Sequence, residues 1–191
     1  MIAIVDYHAG NLTSVKYAFD ALGVDTVVSS DPAVISAAEK VVFPGVGAAG
    51  SAMASLGELG LVDVVREAAS QKPFLGICLG MQILFSRTEE DGGVDCLGVL
   101  PAQVRRFPAV PGFKVPQIGW NDVETPECRR FYYFVHSYYV EMNDFAVGTT
   151  EYAGVKFASM VRRGKLLACQ FHPEKSGRDG LELLKGWVKE C

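Results

Sequence analysis

The sequence predicts an α/β fold: a doubly wound, mostly parallel sheet with helices on both faces, extended in the C-terminal half by antiparallel or mixed strands. Three observations predict it. Up to Ser86, short apolar runs alternate with segments of helical periodicity. Those runs (MIAIVD, KVVF, PFLGIC) are apolar almost throughout, as strands covered on both faces are. Beyond Ser86, strand-like segments follow one another with no helical pattern until the C-terminal stretch.

MIAIVD reads as a first strand rather than a leader, because an acidic residue arrives at once and no basic residue precedes it. Asn11 is a plausible helix N-cap, Val15, Ala18, Phe19 and Leu22 recur at helical spacing, and Gly23 suits the stop. DTVVS is a second strand, and Asp31-Pro32 opens a helix with proline in its first turn. KVVF, ending in the glycine-rich PGVG, is the third strand; LVDVVREAASQ is helical; PFLGIC is the fourth strand, and LGMQILFS begins another helix. RTEEDGG is a polar loop. QVRRF, FYYFVHSYYVEM, VKFASMV and LLACQF are strands, and LELLKGWVKE closes as a helix with Leu181, Leu184, Trp187 and Val188 on one face.

The chain has 191 residues, which predicts one domain over 1–191 with a sizeable core. A net charge of −4 without a long basic run points away from a nucleic-acid surface. No apolar run approaches the roughly 18 residues of a membrane span. Five cysteines without a CxxC pair argue against a disulfide framework or a metal site and for a reducing cytoplasm.

Within this frame GICLGMQ raises a chemical possibility. G-x-C-x-G at a strand-to-helix junction has the form of a nucleophile elbow, with Cys78 held above the sheet edge and a helix dipole beside its sulfur. The short motif serves a structural cysteine equally well. A nucleophile needs a base, and there are three histidines. His172 lies in QFHPEKS after an apolar strand, and in an extended chain Glu174 falls on its side, roughly 6.6 Å along. Cysteine, histidine and carboxylate together make a catalytic triad. PGVG can bring backbone N–H groups close to a ligand, so Gly47 and the amide of Leu79 are candidate oxyanion donors. Cys169, alternating with Leu167 and Phe171, belongs to the core, and Cys96, Cys128 and Cys191 have no assigned role. His8 reads as a solvated loop residue and His136 as a hydrogen-bonded structural one.

DYHAGNLTSV, FPGVG, GICLGMQ, PQIGWN, YFVHSYY and QFHPEKS, in this order, resemble the class I, triad-type glutamine amidotransferases over essentially the whole chain. PGVG, GWN and HPEKS resemble most the branch serving histidine biosynthesis. His8 departs from a position where glycine is frequent, and Gly177 from one where a small polar residue is common. The resemblance implies Cys78 as nucleophile, His172 as acid/base and Glu174 as its orienter, with Gly47 and Leu79 at the oxyanion. It implies that Gln82, Ser137 and Tyr138 hold the α-amino and α-carboxylate groups of glutamine, with no cofactor and no metal. Since no GxxxxGK[ST] loop is present to bind a phosphorylated acceptor, a separate subunit is expected. In the family this is a (β/α)₈-barrel cyclase that takes ammonia through a tunnel and activates the glutaminase, forming a heterodimer. Trp120 and Tyr133 are candidate contacts for it. Three alternatives stay open: an amidotransferase for another pathway such as pyridoxal phosphate synthesis, a stand-alone cysteine hydrolase, and a catalytically silent binding subunit.

Overall fold

The structure, a computed structural model, describes residues 1–8 and 11–190. Ala9 and Gly10 of the DYHAGNLTSV motif, and Cys191, lie outside the described residues. The strands are β1 (Ile2–Val5), β2 (Thr26–Ser29), β3 (Lys40–Gly45), β4 (Phe74–Cys78), β5 (Phe85–Thr88), β6 (Val94–Asp95), β7 (Leu100–Arg106), β8 (Gln117–Glu124), β9 (Arg129–His136), β10 (Tyr138–Val140), β11 (Ala146–Tyr152), β12 (Val155–Arg163) and β13 (Leu166–Cys169). The helices are α1 (Leu12–Ala21), α2 (Pro32–Ala37), α3 (Ala49–Glu58), α4 (Val62–Gln71), the single turn α5 (Leu79–Gln82) and α6 (Gly177–Lys189).

The strands join in one sheet of order β2-β1-β3-β4-β13-β12-β10-β7-β5-β6, with β11, β8 and β9 branching from β12. From β2 to β13 every neighbour is parallel; β13 to β12 reverses, and the extension is mixed. Alternation along the parallel strands feeds two cores. Ala3, Val5, Val41 and Phe43 pack with α2, α3 and α4, whereas Ile2, Ile4, Val42 and Ile77 pack with α1 and α6. That is the doubly wound arrangement the apolar strands predict.

The helix starts follow their caps. Asn11 Oδ1 accepts from the Ser14 amide at 3.3 Å, and Asp31 Oδ1 from the Ala33 amide at 2.8 Å ahead of Pro32. Phe19 of α1 meets Trp187 of α6 edge-on at 6.1 Å, which joins the first and last helices over one face.

Three elements differ from expectation. LGMQILFS is helical only through Gln82; Ile83, Leu84 and Phe85 are all fully buried and enter β5, since an unbroken apolar run carries no helical period. The aromatic stretch is two strands, β9 paired with β8 and β10 paired with β7, broken at Ser137. After His172 the chain turns as a short 3₁₀ helix, Pro173–Lys175, instead of continuing extended.

Candidate active site

Cys78 ends β4 at the carboxyl edge of the parallel strands, paired with Gly45 of β3, while Cys169 of β13 pairs with Ile77. Its backbone sits at φ +56°, ψ −113°. A non-glycine residue holds such a conformation at a cost of about 1–3 kcal/mol, so the surroundings must enforce it. They do: any Cβ on Gly80 would collide with the Phe43 carbonyl, so α5 lies directly against β3 and forces the tight turn at Cys78. Because α5 is one turn long, its dipole is small; what it presents at Cys78 is the free backbone N–H groups of a helix start.

A cleft of about 360 Å³ opens over the sulfur, lined among others by Val46, Gly47, Leu79, Gln82, Glu90, Ser137, Tyr138 and His172. The structure thus brings together Cys78, His172, Gly47, Leu79, Gln82, Ser137 and Tyr138, from four separate stretches of the sequence. Glu174 stands behind His172. Its Oε1 is 2.8 Å from Nδ1, and the two side chains are 2% and 1% exposed. The 3₁₀ turn, not an extended segment, sets this contact. Burial pushes the imidazole pKa down, but the neighbouring Cys78 sulfur and the hydrogen-bonded Glu174 carboxylate outweigh it and raise the value to about 10. His172 therefore keeps its proton at neutral pH.

The turn is bolted to β9. The His172 amide donates to the Tyr133 carbonyl (2.9 Å), and the Ser176 hydroxyl donates to the His172 carbonyl (2.6 Å) while accepting from the Tyr133 amide (3.0 Å). The sulfur also touches this strand, 3.9 Å from the Val135 carbonyl. His136 is structural: Nδ1–H donates to the Tyr138 carbonyl (2.7 Å), and Nε2 lies 3.0 Å from the end of the Gln117 side chain, whose N–H must face a neutral ring. Burial lowers its pKa to about 4, so the ring is neutral.

Gln82 is buried. Its Nε2 donates to the Tyr138 carbonyl and to Gln170 Oε1, both at 2.9 Å, which leaves its oxygen for the cleft. Gly47 has φ +93°, and a methyl group placed on its Cα would meet nothing within 4 Å, so the turn after PGVG stands open. Cys169 is in the core as expected. His8 is exposed at φ +64°, a conformation that glycine adopts more readily. Trp120 is 57% exposed on the outer face of β8, with its ring 6.4 Å from that of Tyr133 on β9.

Four contributors were not anticipated. Glu90 lines the cleft and accepts from the Ala49 amide at 2.7 Å; it came from a polar loop without a distinguishing pattern. Gln117 and Ser176 lie inside PQIGWN and QFHPEKS. Gln170 carried a signal: it is the one amide in the apolar run LLACQF, directly before the Phe-His pair.

The family model "Glutamine amidotransferase class-I" matches residues 3–191. The chain belongs to the class-I glutamine amidotransferases. It is 50% identical to "Imidazole glycerol phosphate synthase subunit HisH" of Moorella thermoacetica, over 97% of this chain and 93% of that one. It is 46% identical to the protein of that name from Methanothermobacter thermautotrophicus, over 99% and 98%. Among solved structures, one titled "Crystal structure of glutamine amidotransferase" superposes with a TM-score of 0.78 at 20% identity, covering 99% of this chain and 98% of that one. At that identity the likeness concerns the fold: a parallel α/β sheet with an antiparallel extension is the architecture of this family. Among the described residues, no helix is long and apolar enough to cross a membrane.

Proposed function

We propose that this protein is the glutaminase subunit of an imidazole glycerol phosphate synthase, a single amidotransferase domain that hydrolyses glutamine and hands the ammonia to a cyclase subunit in the cytoplasm. One observation carries the proposal: Cys78 and His172 share a cleft, with Glu174 buried behind the imidazole, in a chain about half identical, end to end, to curated subunits of that synthase.

The residues divide the chemistry as follows. The Cys78 sulfur, as thiolate, attacks the side-chain amide carbon, and the charge on the carbonyl oxygen is met by the Leu79 amide and by the amide of Gly47. His172, charged at neutral pH, gives its proton to the leaving nitrogen; ammonia departs and a glutamyl thioester remains. His172 then takes a proton from water, which hydrolyses the thioester to glutamate and restores the sulfur. Glu174 holds the ring so that Nε2 faces the reaction. In the cleft, Glu90 is the carboxylate suited to the α-ammonium group, with the free oxygen of Gln82 beside it. Ser137 and Tyr138 are left for the α-carboxylate.

Ammonia made here needs an acceptor, so the (β/α)₈-barrel cyclase is the expected partner. It would convert a phosphoribulosyl-formimino ribonucleotide to imidazole glycerol phosphate and an aminoimidazole carboxamide ribonucleotide. The outer face of the β8–β9 ribbon suits such a contact: Ile118, Trp120 and Phe131 are 64%, 57% and 57% exposed there, with Tyr133 in register with Trp120. Because the space at Gly47 is open, the Val46–Gly47 peptide can rotate between presenting its N–H and its carbonyl to the cleft. Loss of one oxyanion donor costs about 10²–10³ in rate, enough for an activity switch.

The test measures glutamate release from the subunit alone, with the cyclase, and with the cyclase and its ribonucleotide. Low, higher and highest rates are expected. Cys78→Ala abolishes all three yet leaves synthesis from ammonium salts in the complex. Full hydrolysis by Cys78→Ala would overturn the mechanism, and equal rates in the three conditions would overturn the switch.

A further inference from the structure

Gln170 follows β13, fully buried, with its backbone amide bonded to the Ser159 carbonyl at 2.9 Å. A carboxamide buried in an otherwise apolar run is costly unless its polar atoms are paired, and a leucine or methionine would fill the same volume. Its pairing is informative because the orientation of both amides can be deduced. The Tyr138 carbonyl only accepts, so the nitrogen of Gln82 must face it. The second hydrogen of that nitrogen then requires an acceptor, which fixes Oε1 of Gln170 towards Gln82 at 2.9 Å. Nε2 of Gln170 is thereby left pointing at the Cys78 sulfur, at 3.7 Å. A continuous hydrogen-bonded chain thus links the Tyr138 carbonyl, Gln82, Gln170 and the sulfur, with Gln82 donating to both of its neighbours and Gln170 donating to the sulfur.

We propose that Gln170 belongs to the reacting centre, donating a carboxamide hydrogen to the Cys78 sulfur and tying that sulfur to the glutamine subsite through Gln82. The proposal rests on the reading of Cys78 as nucleophile. A donor at the sulfur favours thiolate over thiol, since a hydrogen bond to a charged acceptor is the stronger one. The anchor at Gln82 adds a second consequence: a glutamine seated against Gln82 and Tyr138 bears on the group that holds the sulfur. Gln170 thus complements His172, which meets the sulfur from the other end of the QFH segment. The titratable groups around the sulfur are His172, Tyr7 and Cys169, with Glu174 behind His172 and Glu90, His136 and Tyr138 lining the same cleft.

The experiment follows iodoacetamide alkylation of the Cys78 peptide by mass spectrometry across pH, using the full chain without partner or glutamine. Wild type is compared with Gln170→Met, Gln170→Glu and Gln82→Met, all of which retain His172, Tyr7 and Cys169. Gln170→Met removes the donor at similar volume, and the alkylation midpoint should rise by about one pH unit, the low end for a hydrogen bond to a charged group. Gln170→Glu places a carboxylate beside the sulfur and should raise it further. Gln82→Met keeps Gln170 but frees it, giving a smaller rise and an independent reading should Gln170 variants fail to fold. Looser packing alone lets water reach the sulfur, which favours thiolate and moves the midpoint down, opposite in sign to the loss of a donor. Midpoints that coincide with wild type in the folded variants overturn the proposal. Failure of glutamine hydrolysis in the wild-type complex would instead overturn the function, leaving the alkylation result intact.

Discussion

Gly45→Ala probes the packing that builds the elbow. Gly45 is the register partner of Cys78. A methyl group there would lie 2.6 Å from the Gly80 nitrogen, 2.8 Å from the Leu79 Cβ and 2.9 Å from the Tyr7 hydroxyl oxygen. Two of the three belong to α5, whose backbone cannot retreat without moving the amide that follows Cys78. Overpacking of this kind costs about 1–3 kcal/mol, which lowers Tm by about 2–12 °C in a chain of this size. Displacing the Leu79 amide from the oxyanion position should reduce glutamine hydrolysis by about 10²–10³. Gly47→Ala is the comparison for stability alone, since Gly47 is itself a proposed oxyanion donor. Its methyl group meets nothing within 4 Å, so the φ of +93° is the whole penalty, again about 1–3 kcal/mol, and Gly80 stays in place. Differential scanning fluorimetry and a coupled glutamate assay on the cyclase complex give both numbers. Wild-type melting and activity in Gly45→Ala would refute the claim that this contact shapes the nucleophile turn.

Two further outcomes follow from the His172 environment. Glu174→Gln keeps an acceptor for Nδ1 but removes the charge, so glutamate release should fall less than in Cys78→Ala; an equally complete loss would mean that Glu174 does more than orient the ring. The His172 pKa is raised from 6.5 to about 10, so its contribution to stability is complete below 6.5 and is lost as pH climbs through about 10. Activity should fall over the same upper limb as the imidazolium loses its proton. His136, lowered from 6.5 to about 4 by burial, has the opposite sign, and stability should fall as pH drops through that interval. A pH series of melting temperatures checks both, and a profile flat from neutrality to about pH 10 would contradict the His172 assignment.

The parallel half of the fold was legible because its strands are continuous apolar runs bounded by caps and glycines, as at Asn11, Asp31 and Gly23. Other elements were not. α3 is AGSAMASLGE, small and glycine-containing, with little helical signature of its own. β8 exposes Ile118 and Trp120 and β11 is rich in threonine and glycine, so neither shows apolar-in, polar-out alternation, and their pairing with β9 and β12 decides their form. The residues of the candidate triad were legible from their motifs. The reason for the Glu174 contact was not: alternation along an extended strand predicts the right neighbour, but proline at 173 starts a turn that achieves it differently. Glu90 was invisible, since only the fold carries that loop to the cleft.

One strand gathers these observations. β9 contacts both members of the proposed acid–nucleophile pair through its backbone: Val135 at the sulfur, Tyr133 at the His172 amide and, through Ser176, at the His172 carbonyl. Its other side, with β8, carries Trp120, Phe131 and Ile118 in water. A main-chain hydrogen bond transmits displacement more faithfully than a side-chain contact, because neither partner has a rotamer to relax. A partner seated on the exposed ribbon would therefore press on sulfur and imidazole together, with no domain motion. The exposed apolar residues and the backbone contacts to Cys78 and His172 thus lie on one two-stranded ribbon. Pairing with β8 along its whole length keeps it stiff enough to carry the load, and the break at Ser137 spares β10 and the Tyr138 carbonyl that orients Gln82 and Gln170.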